Sequence, residues 1–296
     1  TGAAAAEVTL IHAGELLAVP GKSPAREMTI IIEGGRITGV QEGYVDADGA
    51  TIIDLRDKFV LPGLMDMHVH LQGQLGPDND RDALKMSSQL VQMRSLHYAM
   101  NTLMAGFTTV RDVGSSEQEM YALRDAINAG WVDGPRIIAA GGVGITGGHA
   151  DISGVRPELM AHWTDVNVCD GPYDCRRAAR NVIKYGGDLI KITSTGGVMT
   201  QRATGTGQQM EMDELTEVVR AATRMGRKVA SHAHEEDGIV AALEAGVATV
   251  LRAVHSRLAG PRHGLALRRS AVLGRRDLES GGVSGYGNAT VVSGGG

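Results

Sequence analysis

From residue 61 onward, strand-like and helix-like stretches alternate, and this rhythm restricts the fold more than any other feature. Apolar strand candidates occupy 64–71, 108–113, 136–140, 188–195 and 229–234, and a sixth begins near Ala248. Helix candidates lie between them, at about 80–105, 117–129, 174–185, 213–226 and 236–245. Apolar strands separated by helices imply a parallel sheet covered by helices. The residues with usable chemistry cluster at the C-terminal ends of these strands: His68, His70, Asp112, Lys191, His232 and His234. That edge carries the active site in a (β/α) barrel and the ligand in an open α/β sheet.

The flanks read differently. Glu7–Leu17, Met28–Val40 and Thr51–Val60 are short Val-, Ile- and Thr-rich runs with Gly-Lys, Gly-Gly and Asp-Gly turns, the pattern of a small sheet domain. After residue 251 the βα rhythm stops. Residues 252–276 hold seven Arg and two His, and 280–296 are largely Gly, Ser and Val. No seventh or eighth βα unit is readable, and 288–293 offer one further strand. The expected division is a small β portion over 1–60, an α/β body over 61–251, and an anomalous tail over 252–296 that returns to the small sheet. The Arg-rich run reads like a shifted reading frame or a damaged copy.

Composition excludes several partners. A net charge of −5 with no basic block argues against nucleic acid, and an aromatic content of 3% argues against base-stacking surfaces. No run of about 18 apolar residues exists, so no membrane-spanning helix is expected. The first residues, Thr1 to Ala6, have neither a basic region nor an apolar stretch, so no signal peptide is read in them. Cys169 and Cys175 form no disulfide framework. They are read as two separate thiols of a reducing, cytoplasmic compartment, with a single pairing as the alternative.

Four segments could carry chemistry. Side chains alternate along a strand, so His68 and His70 point the same way and can both reach one metal ion; two core histidines are the plainer reading. Lys191 sits inside an apolar strand, where an ammonium must be paired, neutralised, modified or snorkelled to the strand end. His232 and His234 repeat the His-x-His pattern at the end of another strand, ahead of an acidic helix start at Glu235, Glu236 and Asp237. His68, His70 and His232 with an oxygen ligand would complete a zinc-like shell. Finally, Gly142, Gly144 and Gly147 match G-x-G-x-x-G, but no helix pattern follows before Pro157. A loop that carries His149 over a site fits that segment better, although a surface histidine is an equal alternative.

Together these residues resemble the metal-dependent amidohydrolase superfamily, nearest the Xaa-Pro dipeptidase (prolidase) and imidazolonepropionase-like branch. The matching pieces, in family order, are Val60–Leu71 around His68-Val69-His70, Gly106–Asp112, Thr146–Asp151, Ile190–Val198 and Val229–His234. The resemblance implies an α/β fold: a (β/α)8 TIM-type barrel, here incomplete after strand 6, with a small N-terminal β-sandwich. It also implies one or two divalent metal ions, usually Zn. His68 and His70 would bind one metal and His232 the second. Lys191 would carry a CO2-derived carbamate bridging them. Hydroxide formed from metal-bound water would attack an amide carbonyl, with His149 and His234 as catalytic groups near a small substrate, a dipeptide or other amide.

Two family features are missing. The segment after Ala248 has Arg252 where the family places another metal histidine, and His255 falls three residues late. The strand-eight aspartate has no counterpart; Asp277, the last Asp, lies in Arg-Arg-Asp-Leu-Glu-Ser. A barrel lacking two units leaves open edges, so the chain is expected to be poorly stable, to aggregate, or to close its barrel as a homo-oligomer. Three functions follow: a hydrolase of C–N bonds, an inactive metal-binding remnant, or a nucleotide-binding protein that uses residues 142–147.

Overall fold

The computed structural model of the chain describes residues 7–74, 76–152, 154–163, 166–197, 205–251 and 289–292. Two compact units emerge, one built on residues up to Asp66 with Met100–Thr109 and the last strand, the other on Met67–Ala99 and Val110 onward.

The first unit holds β1 (Val8–Leu16), β2 (Ala25–Glu33), β3 (Arg36–Glu42) and β4 (Thr51–Pro62). The run read as Met28–Val40 is two strands. It breaks at Gly34-Gly35, which both adopt positive φ (56° and 74°), the left-handed geometry of a tight hairpin turn. β1 pairs antiparallel with β2 and parallel with β4. Ile11, Ala13, Leu16, Ile30 and Val60 form the buried core of this sheet.

The alternation falls mainly in the second unit. Its elements in chain order are β5 (Leu64–Val69), α1 (Asn79–Lys85), α2 (Ser88–Met104), β6 (Phe107–Asp112), α3 (Glu117–Asn128), β7 (Arg136–Ile145), α4 (Pro157–Trp163), β8 (Val168–Cys169), α5 (Gly171–Lys184), β9 (Leu189–Thr193), α6 (Met212–Arg224), β10 (Lys228–His232), α7 (Glu236–Glu244) and β11 (Thr249–Leu251). The last strand, β12 (Ala289–Val292), pairs antiparallel with β4 in the first unit's sheet. The single helix expected over 80–105 is two helices, α1 and α2.

The strands of the α/β sheet run in the order β11-β10-β9-β7-β6-β5, with β8 beside β7. β9 lies parallel to both β7 and β10, and β10 is parallel to β11. Among the described residues, sequential strands with intervening helices make an incomplete TIM-type barrel, accompanied by an N-terminal β domain. The expected positions of strands seven and eight, like His255, Asp277 and the Arg-rich run, lie outside the described residues.

Period-two alternation sorts each strand into two faces. Ile190, Ile192, Val229 and Val250 join a core with Ala178, Ala179 and Val182 of α5, Leu215 and Val218 of α6, and Ile239 of α7. The opposite face carries Leu189, Ala230 and Leu251, which form a separate apolar cluster with Val113 and Ala140. Lys191 and His232 share the alternation of this second face. Both sides of the sheet are therefore buried, which is why its strands read as continuous apolar runs.

The cysteines correct the sequence reading. Cys169 ends β8 and Cys175 lies near the start of α5, with Cα atoms 4.9 Å apart, and the two form a disulfide. The helix begins two residues after Cys169 and brings Cys175 back over the strand. Among the described residues, no helix is long and apolar enough to cross a membrane.

Candidate functional site

β5 ends at Val69, so His68 is its penultimate residue and His70 the first beyond it. Their side chains point the same way, as strand geometry requires, and their Nε2 atoms stand 3.4 Å apart. The Nδ1 of His70 lies 3.0 Å from the Gly114 carbonyl oxygen. A carbonyl only accepts, so Nδ1 carries the proton and the lone pair of Nε2 faces His68.

His232 is the last residue of β10 and is buried. Its Nε2 is buried without a hydrogen-bond partner. The rings of His149 and His234 flank it, with centroids 4.5 Å and 4.6 Å away, the second edge-on. Burial, reinforced by Lys191, His149, His234 and His68, pushes the His232 imidazole down to about 3, so it is neutral at physiological pH. Burial, with Lys191 and His234, also lowers His149 from its ordinary value.

Lys191 sits at the centre of β9, buried, with Gly142 beside it on β7 and Ala230 on β10. Its Nζ reaches the Val113 carbonyl at 3.5 Å, the limit of a hydrogen bond. Burial, aided by Arg111 and partly opposed by Asp112, pushes the amine down to about 8.

His68, His70, His149, His232 and His234 thus lie at or just beyond strand ends of one sheet, with Lys191 in the middle of β9. His68 and His70 converge in direct contact, and His149, His232 and His234 stack around the second face near Lys191. Among the described residues, no three His, Cys, Asp or Glu side chains already enclose one metal position. The donors nevertheless suit a divalent ion. Two imidazole nitrogens at about 2.0–2.1 Å from a tetrahedral Zn are separated by about 3.4 Å, the spacing of this pair. The Nε2 of His232 is a buried polar atom without a hydrogen-bond partner, and in the tautomer that leaves it bare it can take a cation.

Several contributors carried no sequence signal. Gly114 supplies the carbonyl for His70. The Thr195 hydroxyl oxygen accepts from the His234 backbone N–H at 3.0 Å, and the Gln209 Oε1 accepts from the His149 backbone N–H at 2.9 Å. The G-x-G-x-x-G segment is not a phosphate loop: Gly142 and Gly144 lie inside β7, and no helix opens at Gly147.

The fold and this site define a (β/α)-barrel protein with histidines at its strand ends and a buried lysine within one strand. The chain belongs to the amidohydrolase family, whose profile matches residues 59–275. It is 30% identical over 262 residues to ochratoxinase from Aspergillus niger, covering 81% of this chain and 53% of that protein. The crystal structure of a Xaa-Pro dipeptidase with bound methionine superposes at a TM-score of 0.77 and 38% identity, over 82% of this chain and 61% of the other. A prolidase complexed with N-methylphosphonate-L-proline gives 0.70 and 30%, over 82% and 60%. The chain therefore spans about half the length of the curated relatives it matches.

Proposed function

We propose that this chain carries the metal centre of a C–N bond hydrolase acting on small amides, with Xaa-Pro dipeptides as the leading substrate class. The observation that carries this reading is the 3.4 Å approach of the two Nε2 atoms of His68 and His70, on the edge that also presents Lys191 and His232. The likeness to ochratoxinase, a Xaa-Pro dipeptidase and a prolidase supports the reaction class.

In this reading His68 and His70 hold one divalent ion, Zn being the leading candidate, and His232 holds a second. When bound, such ions supply Lewis acidity toward an amide carbonyl and toward water. Lys191 would add an oxygen donor to this set once it carries a CO2-derived carbamate. With its amine lowered to about 8, a minor neutral fraction exists at neutral pH. That neutral nitrogen attacks the carbon of CO2, an N–C bond forms, and one proton leaves to solvent. The carbamate replaces a buried cation with an anionic oxygen donor and removes the cost of an unpaired ammonium. His149 and His234 then present imidazole N–H groups near the carbonyl, where they stabilise developing negative charge or hold a substrate carboxylate.

A second reading is a metal-binding remnant without turnover. It is favoured by Arg252 at the position where the resemblance places the sixth-strand histidine. The deciding experiment is elemental analysis of chain purified without added metal, with His68→Ala alongside, followed by assay on Xaa-Pro dipeptides and N-acyl amino acids. Near-stoichiometric metal that vanishes in the variant, together with turnover, establishes the hydrolase. Metal without turnover establishes the remnant, and absence of metal in well-folded chain rejects both.

A further inference from the structure

Asp112 ends β6, and its side chain is almost wholly buried at 1% exposure. It is no part of the donor set, yet its carboxylate collects three donors from two different strand ends. Oδ2 accepts from the Leu71 backbone N–H at 2.7 Å and from the Ser115 hydroxyl at 2.7 Å. Oδ1 accepts from the Gly114 backbone N–H at 3.2 Å. Leu71 directly follows His70, and Gly114 supplies the carbonyl that receives the proton of His70 Nδ1. The clamp therefore grips the chain on both sides of that hydrogen bond. Gly114 also has no room for a side chain: a Cβ there would stand 2.1 Å from His70 Cε1, so ring and backbone are pressed together.

We propose that Asp112 is a positioning residue that sets the tautomer and aim of His70, by locking the Gly114–Ser115 peptide to the residue after His70. The inference rests on the reading of His68 and His70 as a metal pair. The physical sequence is short. Asp112 fixes the amide of Gly114 and the hydroxyl of Ser115, which bracket the Gly114 carbonyl. The carbonyl holds the proton on Nδ1, and the Nε2 lone pair is left facing His68. Without the clamp the glycine peptide is free to rotate, and the imidazole takes either tautomer. Partners that orient a metal-binding histidine in this way are typically worth 10–100-fold in metal affinity.

The test compares whole-chain wild type, Asp112→Asn, Ser115→Ala and Asp188→Asn. Asp188 is the control, because its Oδ2 makes similar contacts (Ala139 N–H and Arg124 Nη1, both 2.9 Å) away from His70. The first readout is the long-range ¹H–¹⁵N spectrum of metal-free chain, with His70 assigned from its loss in His70→Ala. Wild type and Asp188→Asn should show Nδ1 protonated and Nε2 bare, and Asp112→Asn a tautomer mixture. The second readout is zinc affinity by chelator competition, expected to fall about 10- to 100-fold in Asp112→Asn and to hold within twofold in Asp188→Asn. If Asp112→Asn does not fold, Ser115→Ala decides, with an expected loss of about threefold and partial tautomer mixing. A folded Asp112→Asn, or Ser115→Ala in its place, with wild-type tautomer and affinity overturns the proposal. A wild type that binds no zinc defeats the hydrolase reading instead, and the tautomer comparison then judges Asp112 alone.

Discussion

The chain uses the same three-residue pattern twice, and the two copies fold into different things. His68-Val69-His70 closes β5 with two Nε2 atoms 3.4 Å apart. His232-Ala233-His234 closes β10 with its rings edge-on at 4.6 Å, and it leans on His149 instead. Spacing alone does not make a chelate. In the first copy a carbonyl from the next strand end takes the outer nitrogen of His70 and aims the inner one. In the second, Thr195 takes the backbone N–H of His234 and fixes the main chain. In the proposed reading the first pair shares one ion. In the second, His232 keeps a buried Nε2, and the same reading gives it a single donor role and turns His234 toward the substrate.

That contrast can be broken experimentally. The largest expected effect is on metal content: His68→Ala should lose more than the roughly 100-fold in affinity that an outer partner costs, whereas His234→Ala should keep its metal. In active protein, His234→Ala should instead lower kcat by about 10²–10³-fold, the range for removing one donor to a developing oxyanion. Equal metal loss in the two variants would erase the distinction between the pairs.

Gly114→Ala drives a methyl into the His70 ring, so zinc affinity should drop by about tenfold or more while His234-dependent steps are untouched. Titration with a chromophoric chelator would show it, and wild-type affinity would mean that the ring position is not critical.

A chelator should lower the melting temperature of wild type, because an ion bound only to the folded chain stabilises it by mass action. The same chelator should leave His68→Ala nearly unmoved, by differential scanning fluorimetry. A wild-type melt indifferent to chelator would count against a metal that contributes to stability.

A further effect separates the pairs by pH. In metal-free chain the buried His232 is held far below its ordinary 6.5, at about 3. As pH falls below 6.5 the unfolded chain takes up a proton that the folded chain refuses, so stability is lost on acidification. Denaturant midpoints should fall between pH 6.5 and pH 4, less steeply in His232→Gln; parallel curves would show that His232 is not buried neutral.

The sequence by itself determined the parallel α/β architecture and the edge on which chemistry would sit. Apolar runs at strand length, separated by helices, admit few other solutions, and each His, Lys or Asp at a strand end declares its place by alternation. It also carried the small sheet, although the turn at Gly34-Gly35 divided one expected strand into two. Only the tertiary structure decided which side chains meet. The pairing of Cys169 with Cys175 depends on how α5 folds back over β8, and no spacing rule contains that turn. The roles of Asp112, Gly114, Thr195 and Gln209 were likewise invisible, because each acts on a residue brought near by strand pairing or loop packing. A strand's period is local and legible, whereas the acceptor that orients an imidazole comes from another part of the chain, 44 residues away for His70 and Gly114.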